Sequence, residues 1–160
     1  MGMIGYLKQI STESLEGVIA GNVNIVEVIY SNEIESNSLD IDKAWHAIHF
    51  LLNESAWEGQ HPFFNVILGG TKLGDDLGYG PARYLTSEEV KEVALSLSSL
   101  SENEIRNRFN PEKMKESDIY PSIEWSEQDD LEYVFSYYKE VKKYYLEASE
   151  NNSAMLLYIS

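Results

Sequence analysis

Asp42, His46 and His49 stand at i, i+4 and i+7, which puts a carboxylate and two imidazoles on about the same side of a helix. Such a set suits two kinds of chemistry. Imidazole nitrogens and a carboxylate oxygen can ligate a metal, although a third or fourth ligand has to come from elsewhere and His61 is the sole remaining histidine. Alternatively, one imidazole serves as a general acid or base beside a carboxylate that orients it. The plainer reading makes His49 a buried, hydrogen-bonded core residue and His46 a solvated one. We assign no metal and keep Asp42 and His49 as candidates for a ligand site.

Five of the ten glycines fall between Gly69 and Gly80, beside Asp75, Asp76, Tyr79, Arg83 and Tyr84. Glycines allow a backbone to approach a ligand closely, and a glycine-rich loop ahead of a capped helix can receive an anion. The nucleotide fingerprints are not met: there is no Gly-Lys-Ser/Thr, and Gly78-x-Gly80 is followed by Arg83 rather than a third glycine. The plainer reading is a long connection in which Arg83 neutralises Asp75 or Asp76 and Tyr84 begins a strand. Long loops in small domains often carry function, so Tyr79, Arg83 and Tyr84 join the candidates. No cofactor is assigned.

Other chemistries find less support. The carboxylates Glu124, Glu127, Asp129, Asp130 and Glu132 do not have EF-hand spacing and suit the N-terminal turn of a helix, with Lys139, Lys142 and Lys143 further along it. Neither a Gly-x-Ser-x-Gly elbow nor a His-Glu-x-x-His motif occurs, and with no cysteine in the chain a thiol nucleophile and thiolate zinc sites are excluded.

The elements that must position these residues can be read from spacing and caps. Gly2–Ile10 predicts a first strand, Ser11 an N-cap before Leu15, Val18 and Ile19, and Val23–Tyr30 a second helix after Gly21. Ser31–Ser38 reads as a polar loop. Leu39–Asn53 predicts a buried helix through Ile41, Trp45, Ile48 and Leu52, with Asp40 as N-cap, and His61–Leu68 a short one ended by Gly69 and Gly70. Capping boxes at Thr86/Glu89 and Ser101/Glu104 open two more, Asn110-Pro111 a further start, and Ser126/Asp129 a long helix to about Glu150. Ala154–Ile159 is an apolar strand that must be covered on both faces or paired within a sheet. The expected fold is a mixed α/β single domain over residues 1–160: a small central sheet of mixed direction, holding the N-terminal strand, one near Ala82–Leu85 and the C-terminal strand, layered with about six helices.

Met1-Gly2-Met3-Ile4-Gly5-Tyr6, the segment from Leu39 to Leu52, and Gly78-Tyr79-Gly80-Pro81-Ala82-Arg83-Tyr84-Leu85 together resemble the YfbM-like family of uncharacterised bacterial proteins. So do Ile119-Tyr120-Pro121 and the tyrosine-rich last helix. The pattern Asp42-Lys43-x-Trp45-x-x-x-His49 is the most specific part, and His46 lies outside it. The resemblance implies an αβ fold and no agreed activity, cofactor or substrate.

Composition narrows the function further. The chain is 43% hydrophobic with 11 tyrosines and 3 tryptophans, enough for a sizeable core. Its formal net charge is −15, with 4 basic and 11 acidic side chains in residues 1–85 and 8 and 16 in residues 86–160, so no acidic tail accounts for it. A field of that sign argues against nucleic acid and anionic lipid. No apolar run reaches the roughly 20 residues of a membrane span, and the cytoplasm is the expected location. The function expected is a non-enzymatic acidic interaction module that takes a basic protein or peptide. The alternative is a small-molecule-binding protein or enzyme with a cleft between the Asp42–His49 helix and the Gly69–Arg83 loop. There Asp42 would orient or ionise a partner, His49 act as acid or base, and Arg83 hold an anionic group.

Overall fold

The last strand, β5 (Ala154–Ile159), is apolar at almost every position, and strand side chains alternate between faces, so it must be covered on both. It lies at the centre of a five-stranded sheet. The computed structural model describes residues 2–30 and 38–160. In it β5 pairs with β1 (Gly5–Ile10) on one side and β4 (Pro81–Leu85) on the other; β2 (Leu39–Asp40) flanks β1 and β3 (Thr71–Asp76) flanks β4. The mixed αβ class holds, while all four ladders are antiparallel rather than mixed in direction. Side-chain alternation does not encode direction; the connections do, and a hairpin between β3 and β4 reverses the chain.

Each face of the sheet has its own core. Met155 and Leu157, with Leu7 and Leu85, face the larger helical layer of α3 (Trp45–Asn53), α4 (Ser87–Ser99), α5 (Glu102–Asn107), α6 (Pro111–Glu116) and α7 (Glu127–Glu150). Leu156 and Tyr158, with Ile10 and Ala82, face α1 (Thr12–Ile19) and α2 (Ile25–Tyr30) through Leu15, Val18, Val28 and Ile29. The caps read from the sequence at Ser11, Thr86, Ser101, Asn110 and Ser126 are present. Ser11 Oγ accepts from the Ser14 amide at 3.0 Å, both capping boxes close, and the side chains of Asn110 and Ser126 accept from the amides of Lys113 and Asp129. Residues 31–37 of the expected polar loop lie outside the described residues.

Three expectations are corrected. The helix expected over Leu39–Asn53 begins later: Leu39 and Asp40 pair with Leu7 and Tyr6, Asp40 Oδ1 accepts the Asp42 amide at 2.7 Å, and Asp42 turns the chain at φ 48°. An Asx turn has replaced an N-cap, and one 3₁₀ turn (Asp42–Ala44) leads into α3. The helix expected over His61–Leu68 contracts to a 3₁₀ turn at Phe64–Val66, with the Asn65 and Val66 amides bonding three residues back, to Pro62 and Phe63. The glycine-rich loop is a hairpin. Asp76 Oδ1 accepts the amides of Gly78 (2.6 Å) and Gly80 (3.1 Å), whose φ values of 117° and 97° are open to glycine at no steric cost.

Candidate functional site

Helix α3 is buried at every position from Trp45 to Leu52, including both histidines. Its C-terminal carbonyls need partners, and Arg108 Nη1 donates to those of Leu51 and Leu52 at 3.0 and 3.3 Å. Glu54 ends the helix in the left-handed region at φ 54°, and residues 54–60 fold back along it. That return needs a close approach at Gly59, where a Cβ would stand 2.2 Å from Asn53 Oδ1.

What holds the returning chain is a pair of imidazoles. His46 Nε2 donates to the Ala56 carbonyl at 2.8 Å, and its Nδ1 accepts the Tyr120 amide at 2.8 Å. His49 Nε2 donates to the Glu58 carbonyl at 3.2 Å, and its Nδ1 faces the Asn53 side-chain amide at 3.3 Å. With one nitrogen donating and the other accepting, each ring is neutral and in the Nε2–H tautomer. Both are fully buried. Burial disfavours the charged form, lowering His46 below its ordinary 6.5 and His49 to about 4. The expectation of a solvated His46 is therefore corrected: its ring is stacked on Trp45 (5.0 Å between centroids) and packed against Trp57 (4.3 Å). Indole surface takes the place of water.

The carbonyls that the histidines grip belong to residues 56 and 58, and between them Trp57 is 60% exposed. It borders an open cleft of about 620 Å³ with Asn53, Ser55, Glu58, Gln60 and Phe64. Ser55 Oγ accepts the Glu58 amide at 3.1 Å, and Asn53 Nδ2 donates to the Phe63 carbonyl at 3.2 Å. Glu54 and Glu58 are exposed, and neither forms an ion pair among the described residues.

The five residues singled out from the sequence do not converge. His49 is sealed in the core with both ring nitrogens bound internally. Asp42 Oδ2 accepts the Tyr133 hydroxyl at 2.7 Å, and burial together with this bond raises the Tyr133 pKa. Arg83 does not neutralise Asp75 or Asp76; its Nη1 donates to the carbonyls of Ile67 and Gly69, both at 2.8 Å, and burial lowers its pKa to about 10. Tyr84, next along β4, packs toward the opposite core, and Tyr79 is exposed in the hairpin turn. The cleft expected between the Asp42–His49 helix and the Gly69–Arg83 segment thus lacks its acid–base residue and its anion holder. Among the described residues no three histidine or carboxylate side chains form a group that could hold a metal ion. Trp57, Glu54 and Glu58 were missed; the available signal was a tryptophan flanked by two glutamates just past a strongly apolar helix.

Residues 1–158 match the family described as a domain of unknown function, DUF1877. The chain belongs to this family. A relative, Protein YfbM of Escherichia coli (strain K12), is 30% identical over 132 residues, covering 80% of this chain and 78% of that protein. The crystal structure of YfbM from Escherichia coli, a protein of unknown function, superposes with a TM-score of 0.78 at 25% identity, covering 98% of this chain and 99% of that one. In this DUF1877 chain His46 and His49 fasten the loop that follows α3.

Proposed function

We propose that this DUF1877 chain is a non-enzymatic acidic binding module that takes a basic protein or peptide, working in the cytoplasm. The observation that supports it most is where the polar machinery goes. His46, His49, Arg83 and Arg108 all direct their donors onto main-chain carbonyls inside the fold. Two further cations, Arg106 and Lys115, pair with Glu132 and Glu124. The surface is left with a large carboxylate excess, and the His46 and His49 rings, each bound to a carbonyl, are not free to work on a substrate. A net charge of −15 then steers cationic partners toward the molecule. No described helix is long and apolar enough to cross a membrane.

The direct test is calorimetric titration with a hexa-arginine and a hexa-glutamate peptide at about 50 mM salt, where screening is weaker than at physiological strength. Binding of the basic peptide alone, weakening as salt rises, is the expected result. Equal binding of both peptides, or of neither, would overturn the reading. The same field predicts no shift of duplex DNA or single-stranded RNA in a native gel at about 50 mM salt, where phosphate contacts are strong. Micromolar retention of either would contradict it.

A further inference from the structure

The loop after α3 is built unusually firmly for a surface turn. Two carbonyls that bracket one residue are each held by a different, fully buried, neutral imidazole, and the residue between them is an exposed tryptophan. A core that needed only to be filled would place apolar side chains at positions 46 and 49. Imidazoles there add directed donors, and those donors fix residues 56 and 58. The Ser55 hydroxyl accepts the Glu58 amide within the same turn, and the Asn53 side chain donates to the Phe63 carbonyl just beyond it. The consequence is a large aromatic side chain presented to solvent on a preorganised backbone. Preorganisation lowers the cost of ordering an anchor on binding, and tryptophan is among the commonest anchors of protein interfaces.

We infer that Trp57, between Glu54 and Glu58, is the contact through which the module takes an arginine or lysine side chain of its partner. The inference rests on the acidic-module reading and gives it a place on the surface. Charge complementarity selects the occupant. The face of an indole attracts a cation, guanidinium in particular, and carboxylates on both sides in sequence add attraction of the same sign. Neither glutamate has a basic partner among the described residues. The cleft beside Trp57 also offers Asn53, Ser55 and Gln60, whose amide and hydroxyl groups can pair with the peptide backbone carrying the cation.

Hexa-arginine titrated into the full chain at pH 7.5 provides the test, with four variants beside the parent. Trp57→Ala is expected to weaken binding about tenfold or more, and Trp57→Phe, which keeps an aromatic face, to stay within about threefold of the parent. The pair Glu54→Gln/Glu58→Gln should also lose about tenfold. The triple change Glu127→Gln/Asp129→Asn/Asp130→Asn, which removes more charge at the start of α7, should alter binding by no more than about twofold. Trp57 is mostly exposed, and Trp57→Phe guards against reading a folding defect as lost binding. If the peptide binds but Trp57→Ala matches the parent, or if the α7 triple loses as much as the glutamate pair, the acidic module stands and this site falls. If the parent does not bind the peptide, both fall.

Discussion

Trp45→Ala should lower stability by about 3–5 kcal/mol, the range for truncating a large buried aromatic. Trp45 is 1% exposed, stacks on Tyr120 at 5.6 Å and on His46 at 5.0 Å, and approaches Gly5 so closely that a Cβ there would stand 2.8 Å from its own. Its Nε1 donates to the Met3 carbonyl at 2.9 Å, so truncation also leaves that carbonyl without its partner. Domains of this kind are stable by only about 5–15 kcal/mol, so this one change should remove a large share of the total. Urea melts followed by far-ultraviolet circular dichroism give the value. A midpoint equal to the parent's would show that Trp45 does not tie α3 to the N-terminal strand.

The second large effect is a loss of stability in acid. Above pH 6.5 the His49 ring is neutral in the folded and unfolded chain alike. As pH falls from 6.5 toward about 4 the unfolded chain takes up a proton that the folded chain refuses, so folding weakens across that window and no further below it. A fall in pKa from 6.5 to about 4 corresponds to about 3 kcal/mol. His46, also lowered by burial, acts in the same direction. His49→Gln keeps a donor for the Glu58 carbonyl but cannot titrate. Its melting midpoint should therefore depend less on pH between 6.5 and 4 than the parent's, while carboxylate contributions cancel in the comparison. Parallel curves for the two proteins would show that the ring is not held neutral.

Much of the architecture was legible because it is local. The Thr86/Glu89 and Ser101/Glu104 boxes satisfy amides within one turn, and the apolar run from Ala154 leaves a strand few places except the centre of a sheet. What was not legible depends on distant partners. Leu39 and Asp40 carry a helix-like lead-in to Trp45 but are claimed by β1, and Thr71–Asp76 is an exposed edge strand with too few apolar residues to show a period. His46 is a polar residue at a position only its indole neighbours make apolar, and one of them, Trp57, arrives by the return of a loop. The same return explains why the chemistry suggested by Asp42, His46 and His49 does not materialise. Their spacing on one helix said nothing about the carbonyls of Ala56 and Glu58 that were to occupy the rings.

The claim on which the rest depends is that the two histidines of α3 are neutral loop fasteners and not acid–base groups. Nitrogen-15 resonances of the imidazole rings, followed from pH 8 to pH 4, test it directly. The structure predicts the Nε2–H tautomer for both rings, with His49 unprotonated until about pH 4 and His46 titrating below 6.5. Either ring titrating at or above 6.5, or carrying its proton on Nδ1, would contradict the account and return a histidine to the list of groups available for catalysis.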